Sequence, residues 1–174
     1  MSLETARLNL KPCLPEHILM LIEQPDRLER ATGFPPAAGL HEMFTSGEVS
    51  PDWLAALRAA HDGPDPWRYG FFLVHPESGT LIGTAGFKGP PDSTGTVEIA
   101  YGVAPGFEGQ GYATEAAAAL VAFAFDSRQV DVVRAHTLPA ANASSRVLTK
   151  CGFQHVDNVV DPDDGPVWRW ERRR

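Results

Sequence analysis

Cysteine is scarce in this sequence. Only Cys13 and Cys151 occur, and the first residues, Met1 to Lys11, lack the apolar core of a signal peptide, so a reduced, cytoplasmic setting is expected. Positive charge is in deficit, with 15 Lys and Arg against 22 Asp and Glu, a net charge of -7 and a pI near 5.3. That balance argues against a nucleic-acid partner, and the terminal Arg172-Arg173-Arg174 reads as a solvated end. Long apolar runs are missing as well. The longest, Ala116 to Phe125, is too short to span a membrane and fits a buried helix, so no membrane partner is expected. The six histidines show no spacing suited to a metal, and none is expected. Internal repeats are also absent.

Glycine and proline are plentiful, and one cluster of them is informative. In Val103-Ala104-Pro105-Gly106-Phe107-Glu108-Gly109-Gln110-Gly111-Tyr112-Ala113-Thr114-Glu115-Ala116, a strand-like run ends at a proline, and a glycine-rich turn opens into an alanine-rich helix. Gly109 and Gly111 allow close backbone approach and positive φ, and the first N–H groups of the helix have no partner within it. Those amides and the helix dipole favour an anion such as a pyrophosphate. The lysine-serine pair of a P-loop is missing after Gly111, and Thr114 stands where the dinucleotide fingerprint needs its third small residue.

The 174 residues form one domain, large enough to bury a core without staples. Thr5 to Lys11 alternates as a strand. Pro15 to Gln24 and Pro51 to His61 read as helices with proline at the start, Ser50 capping the second. Pro25 to Gly47 reads as loop with short helical turns. Tyr69 to His75, Thr80 to Phe87 and Gly95 to Val103 read as a strand meander. Tyr112 to Asp126 is a helix, Val130 to Leu138 a strand, and Asn142 to Cys151 a helix capped by Asn142 and ended by Gly152. Phe153 to Val160 and Val167 to Arg172 close as a hairpin, with Trp168 and Trp170 on one face.

Three ordered words, Glu98-Ile99-Ala100-Tyr101, Gly109-Gln110-Gly111-Tyr112-Ala113-Thr114-Glu115-Ala116 and Asn142-Ala143-Ser144-Ser145-Arg146-Val147-Leu148-Thr149-Lys150-Cys151-Gly152-Phe153, resemble the GNAT superfamily of acyl-CoA N-acyltransferases. Within it they look like the branch of the ribosomal-protein N-terminal acetyltransferases. The element order matches the GNAT plan over nearly the whole chain. The resemblance implies an α/β (α+β) fold with a mixed, mostly antiparallel sheet of about seven strands, splayed at the centre, and helices on both faces. It also implies acetyl-CoA as cosubstrate. Its pyrophosphate would lie on Glu108, Gly109, Gln110, Gly111, Tyr112, Ala113 and Thr114, and its pantetheine arm along the backbones of Tyr101 and Val103, with Asn142 as both helix cap and pantetheine ligand.

Moving an acetyl group from a thioester to an amine requires a deprotonated amine, a stabilised oxyanion and a proton for the thiolate. No cysteine nucleophile is needed. By the resemblance Glu98 is the base, and its alternative is an exposed strand glutamate. Leu148 stands where many relatives carry a tyrosine acid, which leaves the Ser145 hydroxyl as the candidate acid, its alternative being a helix serine bonded to the preceding turn. Glu108 departs from the Arg or Gln common at its position and would repel a phosphate unless turned outward. Phe34, His41, Phe44 and Trp53 are either acceptor contacts or packing. The expected activity is an N-acetyltransferase acting on a primary amine of a small molecule or peptide N-terminus, as monomer or homodimer. The alternatives are a non-catalytic acyl-CoA-binding module and a transferase of a longer acyl group.

Overall fold

The computed structural model describes residues 2–47 and 49–174. Among these residues, eight strands form one sheet in the order β1-β2-β3-β4-β5-β6-β8-β7. They are β1 (Leu3–Glu4), β2 (Asn9–Pro12), β3 (Phe71–His75), β4 (Thr80–Phe87), β5 (Thr96–Val103), β6 (Val132–Thr137), β7 (Gln154–Asp161) and β8 (Gly165–Arg173). Only β5 and β6 run parallel, and the other neighbours are antiparallel.

The sheet has eight strands rather than seven because Leu3–Glu4, ahead of the expected strand Thr5 to Lys11, folds back as an edge strand on Asn9–Pro12, and Thr5 to Leu8 turn between them. The Thr5 N–H donates to Leu8 O at 2.9 Å and the Leu8 N–H to Thr5 Oγ1 at 3.0 Å. This local turn satisfies the backbone between β1 and β2 and joins them as an antiparallel hairpin.

Among the described residues, seven α-helices connect and cover the strands: α1 (Pro15–Glu23), α2 (Leu28–Thr32), α3 (Leu40–Thr45), α4 (Pro51–Ala59), α5 (Pro66–Tyr69), α6 (Tyr112–Asp126) and α7 (Ala143–Lys150). Ser50 caps α4 by accepting from the Trp53 N–H at 3.3 Å. The short α5 takes Tyr69, the first residue of the expected strand Tyr69 to His75, because the Asp65 carboxylate accepts from the Trp67 N–H at 3.0 Å and fixes a helical turn there. Gly70, at φ 66, returns the chain to the sheet.

Helix α6 lies against the centre of the sheet. Ala116, Ala117, Leu120, Val121 and Ala124 are buried, and the alanines keep the helix close to β4 and β5. Leu120 is fully buried, so truncating it to Ala costs about 3 kcal/mol. Strands β4 and β5 approach so closely at Gly83 that a Cβ there would meet Gly102 O at 2.2 Å. On the far side, the Trp170 indole N–H donates to Thr137 Oγ1 at 3.0 Å, tying β8 to β6.

Candidate active site

Strands β5 and β6 stay together for three rungs, Thr96 with Val132, Val97 with Val133 and Glu98 with Arg134. Beyond Glu98, β5 is paired only with β4 and β6 only with β8. The sheet therefore opens into a gap above Glu98. The Lys88 N–H bonds Glu98 O at 2.9 Å and the Ala104 N–H bonds Ile82 O at 2.7 Å, so the even-numbered residues of β5 turn their backbone groups toward β4. The alternation of an antiparallel strand then turns those of Ile99, Tyr101 and Val103 into the gap.

The glycine loop follows at the mouth of this gap. Gly109 at φ 72 and Gly111 at φ 86 both use the left-handed region. A Cβ on Gly111 would stand 3.0 Å from Arg7 Nη2. The Glu115 N–H reaches back to Gly111 O at 3.1 Å, so the amides of Tyr112, Ala113 and Thr114 precede the helical ladder and remain available. The Tyr112 side chain points elsewhere: its hydroxyl lies 3.0 Å from His75 Nε2 in the core, leaving only its backbone to the loop. The Gln110 side-chain amide donates to Gly106 O at 3.2 Å and braces the turn. Burial raises the Glu115 carboxyl, but hydrogen bonds from Thr5 and Arg7 outweigh it and hold the pKa low. Glu115 is thus an anchor for the first turn of α6.

A cavity of about 390 Å³ lies between this loop and α7, lined by Val103, Glu108, Gly109, Gly111, Thr114, Arg146 and Lys150 among others. Arg146 and Lys150 are four residues apart on α7, hence on one face of it. The sequence reading missed both. A helical wheel of α7 places them together, but only the packing of α7 on α6 aims them at the loop. They set two positive charges against the one carboxylate, Glu108, on the same wall. Open amides, positive φ and two cations fit a pyrophosphate.

Asn142 and Ser145 form a reciprocal cap at the start of α7. The Ser145 N–H donates to Asn142 Oδ1 at 2.9 Å, the Asn142 N–H donates to Ser145 Oγ at 2.8 Å, and the Ser145 hydroxyl donates to Asn142 O at 2.9 Å. Ser145 is buried, and its hydrogen is engaged in the cap. Leu148 is fully buried. A second hydroxyl lies across the gap: Tyr101 donates to Ser144 O at 3.4 Å, and burial pushes its phenol up to about 12.

Glu98 is held by two donors. Its Oε1 lies 2.8 Å from His136 Nδ1 and its Oε2 lies 2.6 Å from Lys88 Nζ. It shares a sheet face with Ala100 and Gly102, which line a second cavity of about 520 Å³ with Phe44, Trp53, Arg68 and Tyr69. Phe44 and Trp53 stack at 6.0 Å. Phe34 and His41 are not on this wall. Phe34 packs on the core under Lys11, and His41 Nδ1 is tied to Leu21 O at 2.7 Å. Among the described residues, no group of three or more His, Cys, Asp and Glu side chains is gathered to hold a metal ion, and no helix is long and apolar enough to cross a membrane.

The profile of the acetyltransferase (GNAT) domain matches residues 7–154. The FsC-acetyl coenzyme A-N(2)-transacetylase of Aspergillus fumigatus is 29% identical over 171 residues, covering 95% of this chain and 70% of that protein. The ribosomal-protein-S5-alanine acetyltransferase from Vibrio fischeri superposes with a TM-score of 0.70 at 13% identity, over 99% of this chain and 96% of that one. A ribosomal L7/L12 α-N-protein acetyltransferase in complex with coenzyme A gives 0.67 at 11% identity, over 99% and 98%. At those identities the two structures speak for the fold.

Proposed function

This chain belongs to the GNAT family of acetyltransferases, and from that premise we propose that it carries the acetyl group of acetyl-CoA directly to a primary amine within a ternary complex. One observation carries the reading. Tyr101 lines the cavity on the sheet face, Val103 lines the cavity at the glycine loop, and the strand edge between them faces the gap. Two strand residues span about 6.6 Å, so one extended ligand can run along β5 from a phosphate site to an amine site.

In this reading the loop amides from Glu108 to Thr114, with Arg146 and Lys150, hold the pyrophosphate. The backbones of Tyr101 and Val103 pair with the amides of the pantetheine arm. Asn142 uses its side-chain oxygen in the α7 cap, which leaves its amide nitrogen to donate to that arm. The bound cosubstrate supplies a thioester as acetyl donor. Glu98, on the face of the amine site, takes the proton of the ammonium, directly or through one water. Ser145 is the donor to the departing sulfur if its hydroxyl turns away from Asn142 O. Tyr101 is the competing donor, and at about 12 its phenol is a weaker acid than a thiol near 8.5. It can therefore hydrogen-bond a thiolate but not protonate it fully.

We take the acceptor to be a small-molecule amine or a peptide N-terminus, and the enzyme to act in the cytoplasm as a monomer or homodimer. A non-catalytic acyl-CoA-binding module is the second reading, favoured by the partnered states of Ser145 and Glu98. Initial velocities with both substrates varied decide the order of events. Direct transfer gives intersecting double-reciprocal lines, and parallel lines, the mark of an acetylated enzyme, would exclude it.

A further inference from the structure

We propose that Lys88 is an internal acceptor: the chain moves an acetyl group from its own bound acetyl-CoA to the side-chain amine of Lys88. The proposal rests on the acetyl-transfer reading and adds a modification site on this chain.

The sequence holds three lysines, Lys11, Lys88 and Lys150, and their amines stand in different surroundings. Lys11 donates to Thr32 O at 3.2 Å and lies over the Phe34 ring. Lys150 lines the cavity at the glycine loop, where the pyrophosphate is placed, at the far end of the pantetheine arm from the thioester. Lys88 differs from both. Its Nζ lies 2.6 Å from Glu98 Oε2, the contact an acceptor's ammonium makes with a base before giving up a proton. Glu98 Oε1 is taken by His136, so Oε2 is the oxygen turned to an amine.

The sheet brings that amine there. Lys88 directly follows β4, and its backbone N–H bonds Glu98 O at 2.9 Å, so it continues the β4–β5 ladder opposite the candidate base. Residues opposite each other on one face stand about 5 Å apart, a distance the lysine side chain spans. The thioester approaches from the other direction. An arm that pairs with Val103 and then Tyr101 runs down β5, and two further strand residues, about 6.6 Å, end at Ile99 beside Glu98. Lys88 is exposed and lines a groove of about 630 Å³ with Trp53 and Tyr69, which leaves its chain room to turn from carboxylate to thioester. Amine and thioester then react within one complex, without a second encounter.

The step balances. The Lys88 ammonium gives one proton to Glu98, which passes it to water, and the neutral amine attacks the thioester carbonyl. The C–N bond forms, the C–S bond breaks, and the second proton of the nitrogen ends on the departing thiolate. The product amide carries no charge, so acetylation also ends the ion pair with Glu98.

The test is peptide mapping by mass spectrometry of the full chain incubated with saturating acetyl-CoA and no added amine. Lys88 is expected to gain an acetyl group at least about tenfold faster than Lys150. Its rate per chain is expected to stay constant on dilution of the protein and to fall at least about tenfold in folded Glu98→Gln. Equal rates at Lys88 and Lys150, a rate that falls with dilution, or an unchanged rate in Glu98→Gln overturns the proposal. Parallel samples contain benzylamine, spermidine or a short alanyl peptide. Unmodified Lys88 beside an acetylated amine overturns the internal acceptor alone. Unmodified Lys88 with no amine acetylated, in protein that binds acetyl-CoA by calorimetry, overturns it together with the transfer reading.

Discussion

Glu98, on the last rung before the sheet divides, reaches His136, two residues beyond its rung partner Arg134, with Oε1 2.8 Å from Nδ1. Arg169 Nε donates to His136 Nε2 at 3.1 Å, and an arginine can only donate, so the ring proton sits on Nδ1 and points at the carboxylate. With Lys88 on its other oxygen, Glu98 is held at the closed end of the gap in one orientation. The arrangement positions a base.

Glu98→Gln keeps the size of the side chain and removes its basicity. Turnover at neutral pH is expected to fall by about a hundredfold or more and to recover partly at high pH, where free amine forms unaided. Initial rates across pH with one fixed amine check this. A variant whose profile follows the parent protein at every pH makes Glu98 a structural strand residue and sends the search for a base to the segment from Pro25 to Gly47.

Gly111→Val puts a β-branched side chain at φ 86, facing Arg7. The backbone strain is about 1–3 kcal/mol, and the affinity for acetyl-CoA is expected to drop at least about tenfold. Gly109→Ala separates strain from crowding, because its Cβ would enter open space. Equal affinity in a folded Gly111→Val protein rules out the loop as the phosphate cradle.

Arg146→Ala and Lys150→Ala are each expected to weaken coenzyme A binding by about tenfold, near 1.4 kcal/mol. Both should flatten its dependence on salt, since the lost contacts are charge pairs. Binding titrations at two ionic strengths read the effect. Affinity and salt response that stay as in the parent protein move the pyrophosphate away from α7.

Ser145→Ala removes half of the α7 cap, so stability is expected to fall by about 1 kcal/mol. If the hydroxyl also serves the leaving sulfur, kcat drops by about ten- to a hundredfold while acetyl-CoA affinity holds. Tyr101→Phe is the paired variant. A normal kcat in folded Ser145→Ala together with a loss in Tyr101→Phe assigns the role to the phenol.

The elements with strong local signals were legible in the chain. Proline starts, the Ser50 and Asn142 caps and the alanine-rich run of α6 are decided by neighbours a few residues away. The break in the first strand was not, because it depends on Thr5 bonding Leu8 instead of continuing an alternation that Ala6, Leu8 and Leu10 advertise. Helix α5 was missed for the same kind of reason: a single aspartate cap forms a helical turn that takes Tyr69, the first residue of the expected strand. At the site, the backbones of Tyr101 and Val103 followed from their position in the family resemblance. Arg146 and Lys150 did not, since their relevance comes from which elements pack beside them. Tyr112 shows the converse: its position in the loop was readable, and its side-chain partner His75, from a distant strand end, was not.

The most direct measurement is mass spectrometry of the amine after incubation of the full chain with acetyl-CoA, alongside free thiol in the same sample. Transfer gives an N-acetylated amine and thiol in equal amounts, with thiol release dependent on the amine. Acetyl-CoA that binds while no amine gains an acetyl group and no thiol appears would contradict transfer and leave a binding module.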